Sequence, residues 1–260
     1  MIHTLFDNDR IFILGHRGCS QSFPENTMAS FADCAANPAV DGVELDVHLC
    51  RSGEVVVCHD SSLMRTAGLD VRVEDLTYDE LKDVDVGSFK DSVFADQRVP
   101  LLEDLFTTFG SRFVYDIELK VDKFRIGRRL CAAVWDLIQK HSLEGNVMVS
   151  SFNPFALRRF NRVCWYSVPT ADIFDRVSVP RLLRNGQGHL ISGSSYLKPQ
   201  MDCASVEFFK EKELPIIVWT VNTEEDASSL LDIEGVRGLI GNDPHILAKV
   251  LKSKKSKFSC

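Results

Sequence analysis

Short runs of β-branched and aliphatic residues alternate with stretches of helical period along the whole chain. Eight runs read as strands, at 11–14, 42–49, 112–119, 146–150, 165–168, 189–192, 216–221 and 238–240. Helical periodicity fills 27–36, 123–141, 154–163, 180–185, 203–212, 224–232 and 244–251. Asn153-Pro154 and Asn222-Thr223-Glu224-Glu225 supply start signals, a polar cap followed by proline or acid in the first turn. The gap between the second and third strands, about 60–110, carries further helical segments at 77–84 and 101–109 and reads as an insertion. Strands and helices in this alternation predict the α/β class, a (β/α)8 TIM barrel with a small insertion, as a single domain over 1–260. The competing doubly wound open sheet lacks a Gly-x-Gly-x-x-Gly after its first strand.

Composition narrows the function. A net charge of −7 with no clustered basic surface in the body of the chain argues against nucleic acid as a partner. The eight cysteines show no close paired spacing, so they read as mostly buried, reduced thiols, and residues 1–10, without a basic segment followed by an apolar one, lead us to expect no secretory signal. The cytoplasm is the expected location. Apolar runs fall short of the ~20 residues a membrane-spanning helix needs. The basic tail at Lys252, Lys254, Lys255 and Lys257 reads as solvated, so no stable membrane association is expected.

Alternation over 42–49 puts Val43, Leu45, Val47 and Leu49 on one face and Glu44, Asp46 and His48 on the other. Inside a barrel, two such carboxylates side by side are costly without a cation, a shared proton or several donors. On the next barrel strand the same reading groups Asp116, Glu118 and Lys120 against Val114, Ile117 and Leu119, with Asp116 lower and structural. Carboxylates without zinc-type Cys or His spacing select a hard cation, Mg²⁺ or Ca²⁺.

Gly15-His16-Arg17-Gly18 closes the first strand with an imidazole that titrates near neutrality and a guanidinium able to grip phosphate. His59, with Asp60 beside it, ends the apolar run 54–58 and offers a second proton carrier. His48, His141, His189 and His245 have no comparable setting and are assigned structural or exposed roles.

Taken together, Gly15-His16-Arg17-Gly18, Pro24-Glu25-Asn26-Thr27, Glu44-Leu45-Asp46, His59-Asp60, Ile117-Glu118-Leu119-Lys120 and Val218-Trp219-Thr220-Val221-Asn222 resemble the glycerophosphodiester phosphodiesterase family. The resemblance spans residues 11 to about 250. It implies hydrolysis of a small-molecule glycerophosphodiester to glycerol 3-phosphate and an alcohol. Residue by residue, it implies that His16 and His59 are the catalytic pair and that Glu44, Asp46 and Glu118 are the metal ligands. Arg17 and Lys120 become phosphate contacts, and Trp219 an aromatic wall beside the glycerol. The nucleophile stays open between water and a neighbouring glycerol hydroxyl that would give a cyclic phosphate first. Two departures, Cys50-Arg51-Ser52-Gly53 after the second strand and Gly241-Asn242 after the last, bear on the rim. Rival expectations are a related phosphodiesterase acting on lysophospholipid or phosphoinositide headgroups, with Leu63, Leu69, Phe89 and Phe94 as its apolar residues, and a non-enzymatic metal-dependent binding protein.

Overall fold

The computed structural model describes residues 10–121, 124–203 and 214–257. Eight parallel strands close into a barrel: β1 (Phe12–His16), β2 (Gly42–Leu49), β4 (Val114–Leu119), β5 (Val147–Ser151), β6 (Thr170–Phe174), β7 (Tyr196–Pro199), β8 (Ile216–Val218) and β9 (Val236–Gly241). The ring is completed where β1 pairs with both β9 and β2, in register at Leu14↔Ile240 and His16↔Glu44. A short strand β3 (Val55–Val57) runs antiparallel against the top of β2.

Two apolar populations hold the barrel. Its interior is filled by Phe12, Leu14, Val114, Met148, Ala171, Tyr196, Ile217 and Ile240. The opposite strand faces, with Val43, Leu45, Ile117 and Val149 among them, pack on the surrounding helices. Each fully buried aliphatic of this kind contributes about 1.5–3 kcal/mol relative to exposure. The principal outer helices are α1 (Met28–Ala36), α5 (Phe124–Lys140), α6 (Pro154–Val163), α7 (Gly188–Ser192), α8 (Glu224–Leu230) and α9 (Pro244–Lys257). Their starts follow local chemistry: Asn153 Oδ1 accepts from the Phe155 and Ala156 amides ahead of α6, and Thr223 Oγ1 accepts from Asp226 N ahead of α8.

The insertion between β2 and β4 folds α2 (Met64–Ala67), α3 (Tyr78–Leu81) and α4 (Leu102–Phe109) beside β3. It builds its own small core from Val56, Leu63, Val73, Leu81, Val86 and Val99.

Two strands differ from their expected places. Residues 165–168 form a turn in which Trp165 and Tyr166 take φ of 53° and 57° and are exposed, and β6 begins at Thr170. Residues 189–192 belong to α7, and β7 follows at Tyr196–Pro199. In both cases a buried charged residue, Asp172 or Lys198, interrupts the apolar run of the true strand. The helix expected at 180–185 shrinks to a 3-10 turn, Arg181–Leu183. That expected at 203–212 lies, past Cys203, outside the described residues. Val114 shares the inward face with Asp116, as strict alternation requires.

Gly42 marks the closest backbone approach between β2 and β4, where an added Cβ would lie 1.8 Å from the Val114 carbonyl oxygen. Gly42→Ala is therefore expected to lower the unfolding free energy by about 3 kcal/mol, read as a drop in the urea midpoint at constant m.

Candidate active site

Barrel register builds the site. Glu44 and Asp46 point inward from β2, and their partners in register on β4 are Asp116 and Glu118. All four are buried. Carboxylate oxygens of Glu44, Asp46 and Glu118 lie within 4.8 Å of one another.

Ammonium and guanidinium groups compensate this crowding. Lys120 Nζ stands 2.8 Å from Asp46 Oδ1 and 2.6 Å from Glu118 Oε1. Arg17 Nε is 3.3 Å from Asp46 Oδ2, and the Arg17 amide donates to Glu44 Oε2 at 3.2 Å. Arg17 reaches this position because its backbone turns into the left-handed region, φ 56°, where β1 ends. One layer lower, Lys198 of β7, 2% exposed, pairs with Asp116 Oδ2 at 2.7 Å and lies 3.5 Å from Glu44 Oε1. Lys198 also donates to Ser150 Oγ, which in turn donates to Asp116 Oδ1 at 2.6 Å. Asn26 Nδ2 donates to Asp46 Oδ2 at 2.8 Å.

His16, at the end of β1, places Nε2 3.9 Å from Glu44 Oε2. Its Nδ1 lies 2.7 Å from Asn242 Oδ1, which also accepts from Ser20 Oγ. That network assigns the proton to Nδ1 and leaves a lone pair on Nε2. Burial, reinforced by Arg17, lowers the His16 pKa to about 4, so the ring is neutral at physiological pH. His59 lies 2.7 Å through Nδ1 from Asp60 Oδ1, and burial lowers its pKa as well. A chain of ion pairs joins the two histidine loops: Asp60 to Arg65 at 2.6 Å, Arg65 to Glu25 at 2.7 Å, and Glu25 to Arg17 at 2.9 Å. Trp219 completes the mouth, its ring centroid 6.5 Å from that of His16 and edge-on to Phe152 at 5.7 Å, with Nε1 donating to the Lys198 carbonyl at 3.0 Å.

The donor set fits a hard divalent ion. Burial pushes the Glu44 pKa up to about 7 against the pull of Lys198, and burial raises Glu118 against Lys120. Burial also opposes ionisation of Asp46, yet Lys120 and Arg17 hold it well below the usual carboxylate range. Asp46 Oδ1 is buried and meets Lys120 without hydrogen-bond geometry, so an acceptor lone pair in this cluster is available to a cation. Oxygen donors alone, with two groups reluctant to ionise, are what Mg²⁺ or Ca²⁺ would relieve.

The structure gathers His16, Arg17, Glu44, Asp46, Glu118, Lys120 and Trp219 at the C-terminal mouth, and the Asp46 charge acts on both His16 and His59. Lys198 is not singled out by the sequence because 189–192, not 196–199, reads as the seventh strand, and Ser150, though on an expected strand, carries no charge that marks it. Asn242 was assigned to the rim, whereas it bonds directly to His16. The signal was its position just beyond the last strand, beside β1 in a closed ring.

Comparison with known proteins follows the same line. The family model described as the glycerophosphoryl diester phosphodiesterase family matches residues 16–246. A glycerophosphodiester phosphodiesterase of Bacillus altitudinis is 31% identical over 251 residues, covering 94% of this chain and 99% of the relative. A lysophospholipase D of Rattus norvegicus is 25% identical over 92% of this chain and 86% of its own length. The fold matches that of an Oleispira antarctica phosphodiesterase solved in complex with the product sn-glycerol-3-phosphate, with TM-score 0.82, 24% identity, and coverage of 93% of this chain and 96% of the other.

Removing the Lys198 ammonium would leave Asp116 and Glu44 buried without their shared cation. Lys198→Met is expected to cost about 3–5 kcal/mol in urea unfolding of chelator-treated protein, and adding Asp116→Asn should restore part of the loss.

Proposed function

Because the chain belongs to the glycerophosphoryl diester phosphodiesterase family, we propose that it hydrolyses glycerophosphodiesters to glycerol 3-phosphate and an alcohol, with His16 and His59 moving the protons. The observation that carries this reading is the meeting of Glu44, Asp46 and Glu118 in the barrel mouth beside the His16 imidazole. These three carboxylates are assigned as ligands of one divalent ion, Mg²⁺ or Ca²⁺. Such an ion, when bound, polarises a phosphoryl oxygen and offsets its charge.

The chain's own residues supply the rest. His16, neutral and held through Nδ1 by Asn242, presents Nε2 as the atom that takes a proton from the nucleophile. His59, oriented through Nδ1 by Asp60, acts in its imidazolium form, giving its Nε2 proton to the leaving alcohol and regaining one from solvent as His16 releases the nucleophile's proton. Arg17 and Lys120 bring donors to the phosphoryl oxygens, and the flat face of Trp219 packs on the glycerol carbons. The reading treats the chain as one catalytic domain.

A second substrate class has a specific observation in its favour. Phe155 in the first turn of α6 is 60% exposed, and Val177 and Leu182, on the loop and the 3-10 turn after β6, are 86% and 83% exposed, all in segments that follow the C-terminal ends of the strands. Such residues suit the acyl chain of a lysophospholipid. Of the scattered apolar residues of the insertion, Leu63 is buried in its core and Phe94 packs on Phe23 at 5.5 Å, whereas Leu69 and Phe89 are exposed.

Chelator-stripped protein is expected to be inactive on glycerophosphocholine and to recover on adding Mg²⁺, Ca²⁺ or Mn²⁺; full turnover in chelator would refute the assignment. His16→Ala and His59→Ala should each lower kcat by roughly 10²–10⁴-fold while the circular dichroism spectrum is kept. A lysophosphatidylcholine kcat/KM above that for glycerophosphocholine, falling when Phe155 and Leu182 are changed to Ser, would favour the second class.

A further inference from the structure

Outside the barrel mouth, three segments bring together donors that hydrolysis does not use. Cys19 lies on the loop after His16, Asp33 on α1 and His245 at the start of α9. One ligand atom from each lies within 4.8 Å of the others. His245 Nε2 is 3.5 Å from Cys19 Sγ and 2.7 Å from Asp33 Oδ2. Cys19 is buried, whereas the Asp33 and His245 side chains are 31% and 37% exposed, so the cluster opens to solvent on one side.

We propose that Cys19, Asp33 and His245 form a second cation site, for a thiophilic divalent ion of the Zn²⁺ class. One sulfur, one imidazole nitrogen and one carboxylate oxygen are the donors such an ion selects, in contrast to the all-oxygen set in the mouth. Metal–ligand lengths near 2.0 and 2.3 Å place tetrahedral donors roughly 3.3–3.6 Å apart. The Cys19–His245 separation of 3.5 Å already has this value, and His245 and Asp33, at 2.7 Å, need to part by about 0.6 Å. Solvent completes the fourth position.

Proton balance and the surrounding contacts fit. Binding expels the Cys19 thiol proton to solvent, and Cys34 Sγ, 2.9 Å from Cys19 Sγ, can donate its S–H to the resulting thiolate. The imidazole moves its proton from Nε2 to Nδ1. Asn37, whose Nδ2 is 2.8 Å from His245 Nδ1, turns its amide to accept that proton through Oδ1, giving up a solvent-exposed bond from the Ala39 amide. The site would tie α1 and α9 to the loop that carries Arg17. Cys34 packs close to the end of β1 that leads into this loop, since a Cβ on Gly15 would come within 2.6 Å of its sulfur.

The test uses the full chain, reduced and metal-free, titrated with Co²⁺ in the presence of excess Mg²⁺. Expected is a near-ultraviolet sulfur-to-metal charge-transfer band saturating at one equivalent, abolished by Zn²⁺. The band should vanish in Cys19→Ser and in His245→Gln, a partly exposed position that should fold normally, and persist in Cys34→Ser. Asn37→Ala should weaken Co²⁺ affinity roughly tenfold. A folded wild-type protein with no such band, or a band that survives Cys19→Ser or His245→Gln, overturns the proposal. Because the readout is a sulfur signature, failure of the all-oxygen site would leave it unaffected.

Discussion

Everything at the mouth of this barrel depends on one constraint: four carboxylates from two adjacent strands share a dry space that cannot hold four uncompensated charges. β2 and β4 are in register, so Glu44 faces Asp116 and Asp46 faces Glu118. The protein answers in two layers. Lys198 takes the lower pair with help from Ser150, and Lys120 and Arg17 lean on the upper one. Each layer keeps one carboxyl that burial makes reluctant to ionise, Glu44 in the lower and Glu118 in the upper. Glu44, Asp46 and Glu118 thus converge as a candidate cation cluster, with Asp116 behind them already paired to Lys198 and Ser150.

The same arrangement gives the two histidines different surroundings. His16 is buried and held by a neutral amide, so its ring stays uncharged, while His59 sits beside a carboxylate that is itself tethered by Arg65. The Arg65–Glu25–Arg17 chain carries that tether across to the β1 loop. The insertion after β3 thus supplies a strut to the site, since Arg65 lies on α2.

Much of this was written locally. The acidic faces of 42–49 and 114–119 are visible from alternation alone, and the Asn153-Pro154 and Thr223 caps start helices where sequence places them. The exposed Trp165 and Tyr166 imitated a strand, and the run 189–192 did too, because apolar content without tertiary context does not separate a buried strand from a surface turn. Lys198 escaped notice for the converse reason: a lysine reads as solvent-facing until a neighbouring acid accounts for its burial.

By itself, the sequence determined the alternating acidic face of Gly42–Leu49 and the starts of α6 and α8, because each of these is a property of spacing over a few residues, and it offered His16, Glu44, Asp46, His59 and Glu118 as candidates through a family resemblance. Only the tertiary structure decided which carboxylate belongs to which cation, that Asn242 and His16 touch across 226 positions of chain, and that Cys19, Asp33 and His245 meet at all. Those pairings depend on ring closure between β1 and β9, a contact between distant segments that no local pattern encodes.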